Sequence, residues 1–114
     1  MIICGIDPGT QCTGYGILDV ERDRSVYRDH GVIRPKSQDL DLRLKEIFLR
    51  ITDILREHQP TEVAIETSFY ATNAQTALKL GQVRGVIILA VTLLDIPIFQ
   101  YTPTEIKKAT CGYG

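Results

Sequence analysis

A chain of 114 residues with 44% hydrophobic and 24% charged residues can bury one modest core, which excludes a disordered chain and more than one domain. Its formal net charge of -1 argues neither for nor against a nucleic-acid partner. The cysteines, Cys4, Cys12 and Cys111, are odd in number, and with His30 and His58 they offer no Cys-x-x-Cys or zinc-ligand spacing, so neither a disulfide framework nor a zinc site is expected. The N-terminus runs straight into an apolar strand without a basic flank, so no signal peptide is expected. No apolar run of membrane-spanning length lacks a helix-packing explanation, and a cytoplasmic protein with no membrane partner is the expectation.

Ile2–Ile6 reads as a buried central strand that ends in one acid, Asp7. Pro8-Gly9 follows at once and predicts a turn, because Pro8 lacks an N–H and Gly9 tolerates positive φ. Thr13–Val20 is the second strand, joined to the first by too few residues for anything but an antiparallel pairing. Its Gly14 and Gly16 are expected to face closely packed neighbours or a ligand. Glu21–Arg24 is a polar tip, and Val26–Ile33 is a third strand. Leu40, Leu44, Ile47, Phe48, Ile51, Ile54 and Leu55 recur at helical spacing, which predicts a helix from Leu40 to His58, capped by Ser37 or Asp39 and stopped by Pro60.

Thr61–Glu66 is the next strand, also apolar and also ending in an acid. Since it follows a helix, a parallel crossover strand is expected. A second helix is predicted from Ala71 to Leu94. Ala77, Gly81 and Gly85 form a strip of small residues along it, and each glycine costs about 0.5–1 kcal/mol of helix stability relative to alanine. Close packing is expected to offset that cost, with the underlying sheet slightly preferred over a partner helix. Ile96–Tyr101 is the fifth strand. A helical turn begins near Thr104 and carries Lys107 and Lys108. The chain closes in Gly112-Tyr113-Gly114, an unusual place for a domain to stop, so at least two more helices are expected beyond residue 114.

This order gives an α/β fold with a five-stranded mixed sheet: three antiparallel strands, then parallel strands reached through crossover helices. If the first and fourth strands are parallel neighbours, Asp7 and Glu66 emerge together at one sheet edge. Two adjacent carboxylates repel each other unless a cation bridges them. An all-oxygen pair suits Mg²⁺ or Mn²⁺. Two such ions about 4 Å apart can activate a water and stabilise the departing oxygen in phosphodiester cleavage.

Four segments in order then carry a resemblance: Gly5-Ile6-Asp7-Pro8-Gly9-Thr10 with Gly14-Tyr15-Gly16; Ala64-Ile65-Glu66; Asn73-Ala74 through Ala77-Leu78-Lys79-Leu80-Gly81-Gln82 to Arg84-Gly85; and Tyr101 with Ile106-Lys107-Lys108. Together they resemble the RuvC family of bacterial Holliday-junction resolvases, whose fold is ribonuclease H-like. The resemblance spans the whole chain but not the whole family domain.

It implies a metal-dependent endonuclease of recombination and DNA repair. Such enzymes act as homodimers that nick opposing strands of a four-way DNA junction symmetrically, alongside branch-migration proteins. The products are ligatable, with 5′-phosphate and 3′-hydroxyl ends. It implies four carboxylates around two Mg²⁺ ions, of which Asp7 and Glu66 are present and two lie beyond residue 114, so residues 1–114 alone are expected to be inactive. It further implies that Phe69, with Tyr70 beside it, stacks on bases at the crossover, and that Lys107 and Lys108 meet phosphates. Thr10, Gly14 and Asn73 would face DNA or support the site, and Ala77, Gly81 and Gly85 would lie at a dimer interface.

Rival readings remain. Actin-like and sugar-kinase ATPases share Asp7-Pro8-Gly9-Thr10 but need a second domain and phosphate loop. A resolvase-like family acting in ribosomal RNA processing shares the first motif. A non-catalytic junction-binding module would bind without cutting.

Overall fold

The computed structural model describes residues 1–67 and 73–101. Three strands come first, β1 (Ile2–Asp7), β2 (Thr13–Glu21) and β3 (Arg24–Ile33). Helix α1 (Leu40–His58) leads to β4 (Glu62–Glu66), and α2 (Ala74–Leu93) leads to β5 (Ile98–Tyr101). The sheet order is β3-β2-β1-β4-β5. β1 pairs antiparallel with β2, β2 antiparallel with β3, and β4 runs parallel to both β1 and β5. This is the mixed α/β architecture expected from the element order, and the ribonuclease H-like fold that the resemblance implies.

Alternation along each strand sends Cys4 and Ile6 of β1, Ile17 of β2, and Val63 and Ile65 of β4 to one face. There they form a single cluster with Ile47, Ile51, Ile54 and Leu55 of α1 and Val83, Ile87, Ala90 and Val91 of α2. Both described helices therefore cover the same face. β3 starts two residues earlier than expected, and its pairing skips Arg28, which has no partner between Tyr27 and Asp29. That bulge frees Arg28 to reach Asp19 at 3.2 Å, an exposed contact that adds little stability.

The caps follow local chemistry. Asp39 is the N-cap of α1 but makes no side-chain cap bond; instead its N–H donates to Ser37 Oγ at 3.1 Å. Gln59 closes α1 in the left-handed region (φ 49°), its N–H donating to Leu55 O, and Pro60 prevents continuation. Asn73 caps α2, accepting from the Thr76 N–H at 2.9 Å.

The small-residue strip of α2 turns the other way from expectation. Ala77, Gly81 and Gly85 face away from the core, and a Cβ built on either glycine would meet nothing within 4 Å. The sheet does not pack on them; Val83, Ile87 and Val91, on another side of α2, are the residues buried in the core. Leu78, Leu89 and Leu93 are exposed beside the glycines at 65%, 52% and 62%. By length and composition α2 would cross a membrane, yet its buried residues join the core beneath. A Cβ placed on Gly14 would likewise meet nothing within 4 Å, so close packing does not explain that glycine either.

Candidate active site

The parallel register of β1 and β4 decides the site. Ile6 stands beside Ile65, so the next residues along, Asp7 and Glu66, leave the sheet at the same edge. Ile6 and Ile65 are fully buried, and alternation places both acids on the opposite face. Asp7 lies opposite Gly14 of β2, and Glu66 opposite Tyr101 of β5. The lack of a side chain at Gly14 leaves the space beside Asp7 open.

The two acids are not equivalent. Asp7 is exposed, contrary to the expectation of a charge at a buried strand end, and Glu66 is the half-buried one. Burial, then a side-chain hydrogen bond with Asp7, then the Asp7 charge push the Glu66 carboxyl up to about 7. The hydrogen bond raises it because the protonated Glu66 carboxyl donates to the Asp7 carboxylate. The two carboxyls thus sit within hydrogen-bonding reach. A donor set of carboxylate oxygens that resists double ionisation suits a hard divalent cation. Among the described residues no group of three or more His, Cys, Asp or Glu side chains converges, so this pair is the whole acidic set there.

Neighbouring residues hold the strand ends. Arg84 of α2 donates from Nη1 to the Glu66 carbonyl at 2.6 Å, pinning the end of β4 to the helix. Thr67 donates to the Tyr101 carbonyl twice, from its N–H at 2.7 Å and its Oγ1 at 3.0 Å. Thr10 is half-buried in the bend after Asp7, and its carbonyl accepts from Arg43 Nη2 at 2.9 Å. The Asn73 side-chain oxygen is engaged in capping α2. Phe69, Tyr70, Lys107 and Lys108 lie outside the described residues. Ala77, Gly81 and Gly85 lie along the outer face of α2 and take no part in the acidic pair.

Two arginines bond main-chain carbonyls beside the acidic pair. Arg84 was legible only as part of a motif. Arg43 carried a signal, since it falls three residues after Leu40 and four before Ile47, on the apolar stripe of α1.

The family model described as "Crossover junction endodeoxyribonuclease RuvC" matches residues 3–114. The chain belongs to the RuvC family. A RuvC from Shewanella sp. (strain MR-4) is 48% identical over 113 residues, which is 99% of this chain and 65% of that protein. The chain therefore spans about 65% of the length of the curated RuvC relatives it matches. Among solved structures, T. thermophilus RuvC in complex with a Holliday junction substrate aligns with a TM-score of 0.83 at 26% identity, over 95% of this chain and 68% of that one. The fowlpox virus Holliday junction resolvase shares the fold alone, with a TM-score of 0.61 at 16% identity over 91% of this chain and 62% of that one. The RuvC match agrees with the four sequence segments and with the observed strand order.

Proposed function

We propose that the whole protein is a divalent-metal-dependent endodeoxyribonuclease that resolves four-way DNA junctions by paired, symmetric nicks in recombination and repair. The observation that carries this reading is the Asp7–Glu66 pair on adjacent parallel strands, with the Glu66 proton held up to about 7. Asp7, the exposed member, and Glu66 are the residues that would hold Mg²⁺ or Mn²⁺, two ions once the family's remaining carboxylates beyond residue 114 complete the set. Bound divalent ions supply an activated water and charge stabilisation at the leaving oxygen.

The chain's own residues prepare that site. Glu66 gives up the shared proton as the pair takes on a cation, so occupancy rises with pH. Thr67 keeps the ends of β4 and β5 together, and Arg84 ties the end of β4 to α2. Phe69 and Tyr70 are assigned to base stacking at the crossover, worth about 1–3 kcal/mol per base. Lys107 and Lys108 are assigned to phosphate contacts, which make affinity salt-dependent. Thr10 and Asn73 flank the site on the DNA side.

The protein acts as a homodimer through the exposed apolar face of α2. Exposed Leu78, Leu89 and Leu93 around the open Gly81 and Gly85 support that reading, because glycines let a second helix approach closely. Branch-migration proteins are the expected companions and the cytoplasm the expected compartment. Residues 1–114 alone, which carry two of the family's four site carboxylates, do not cut. The test is junction cleavage in Mg²⁺ by the full-length protein carrying Asp7→Asn. Loss of nicking is expected, and cleavage at the unsubstituted rate would reject the assignment.

A further inference from the structure

The segment that follows Asp7 has no scaffold of its own. Pro8–Cys12 is a run of bends, and among the described residues no main-chain hydrogen bond closes it. A Cβ at Gly9 would collide with the Cys12 carbonyl oxygen, so the segment is folded tightly on itself. Pro8 is buried, but at Thr10 and Gln11 packing gives no such support. A cavity of about 240 Å³ lies under it, between Thr10 and Gln11 on one side and Leu44, Ile47 and Val83 of the two helices on the other.

Beyond the buried Pro8 and the paired strand ends, one side chain holds the segment. The Arg43 guanidinium donates from Nη2 to the carbonyls of Thr10 at 2.9 Å and Gln11 at 3.2 Å. From Nη1 it donates to the carbonyls of Ser37 at 3.0 Å and Pro35 at 3.3 Å. One rigid fork on α1 thus ties the bend after Asp7 to the loop that enters α1. A guanidinium suits this task because its donors lie in fixed directions, whereas an ammonium on a flexible stem cannot span four acceptors at once.

We propose that Arg43 is a positioning residue for substrate: it fixes the Pro8–Cys12 bend so that this segment meets the DNA backbone next to Asp7. This inference rests on the nuclease reading above. Asp7 itself is held independently, by its register with β2 and by the pairing of β1 with β4. Losing Arg43 therefore loosens the bend without displacing the acids. The consequence is a defect in holding the junction, with the chemical step intact.

The test is steady-state cleavage of a four-way DNA junction in Mg²⁺ by the full-length protein carrying Arg43→Met or Arg43→Lys, with Asp7→Asn in parallel. For Arg43→Met the KM for the junction is expected to rise at least fivefold while kcat stays within twofold. Arg43→Lys is expected to recover part of the loss. Backbone ¹⁵N order parameters at residues 10–12 should fall in Arg43→Lys, while those in β1 and β4 stay unchanged. Unchanged KM in a folded Arg43→Met, or a fall in kcat at constant KM, overturns the proposal. If Arg43→Met does not fold, unchanged order parameters at residues 10–12 in Arg43→Lys overturn it instead. Full activity of Asp7→Asn marks failure of the nuclease reading, separately from any result at Arg43.

Discussion

Replacing Asp7 by asparagine should release the proton that Glu66 retains. In the unsubstituted protein the Glu66 carboxyl titrates near 7, against 4.5 for an ordinary glutamate. At pH 6 that leaves the proton on about nine pairs in ten, where an isolated glutamate would be protonated about one time in thirty. Three causes act, burial first and Asp7 second and third, through its hydrogen bond and its charge. Asparagine is neutral and removes the charge, while burial of Glu66 persists. The Glu66 midpoint should therefore fall by about one pH unit yet remain above 4.5. The assay is a ¹³C NMR titration of the Glu66 side-chain carboxyl in metal-free buffer. A midpoint that stays near 7 in Asp7→Asn would refute the pairing. So would an ordinary glutamate midpoint in the unsubstituted protein.

The same proton makes stability pH-dependent. Because the folded carboxyl holds its proton where the unfolded chain has lost it, stability should fall as pH rises from about 4.5 to about 7 and stay lower above that. At ~1.4 kcal/mol per pH unit the displacement sets a ceiling of about 3 kcal/mol, and solvent around the half-exposed pair reduces this to about 1 kcal/mol. Glu66→Gln should then be more stable than the unsubstituted chain by that amount at pH 8 in chelator, with no gain at pH 4, by urea denaturation. Gly81→Ala should stabilise α2 by about 0.5–1 kcal/mol, since its Cβ meets nothing, whereas Gly81→Trp in the full-length protein should shift sedimentation from dimer to monomer. Ile51→Ala, at a fully buried site shared by both helices and the sheet, should cost about 2–5 kcal/mol in thermal or urea unfolding.

Much of this arrangement was legible in the residue pattern. The apolar runs Ile2–Ile6 and Val63–Ile65 are short and continuous, as in strands of a central sheet, and the helix between them forces a crossover. That alone brings Asp7 beside Glu66. The stripe of α1 is amphipathic, so its buried face and its ends at Leu40 and His58 could be read directly. α2 is different. It is apolar nearly all round, so periodicity does not select a buried face, and the glycine strip looked like a packing surface when it is the open one. The buried side carries Val83, Ile87 and Val91, although Leu78, Leu89 and Leu93 on the open side are at least as large.

Two further features have no local signature. The division of labour between an exposed Asp7 and a half-buried Glu66 depends on what covers each strand end, which sequence distance does not encode. Arg43 reaches carbonyls 32 and 33 residues away, and only its place on an apolar stripe marked it as unusual.

The central claim is that Asp7 and Glu66 together form a divalent-cation site. Titrating Mn²⁺ into the ¹³C-labelled protein at pH 8 tests it most directly. Selective paramagnetic broadening of the Asp7 and Glu66 carboxyl signals is the predicted result, with at least tenfold weaker binding in Glu66→Gln. Broadening spread over other acids such as Asp19, Asp23 and Asp53, with these two spared, would contradict the claim.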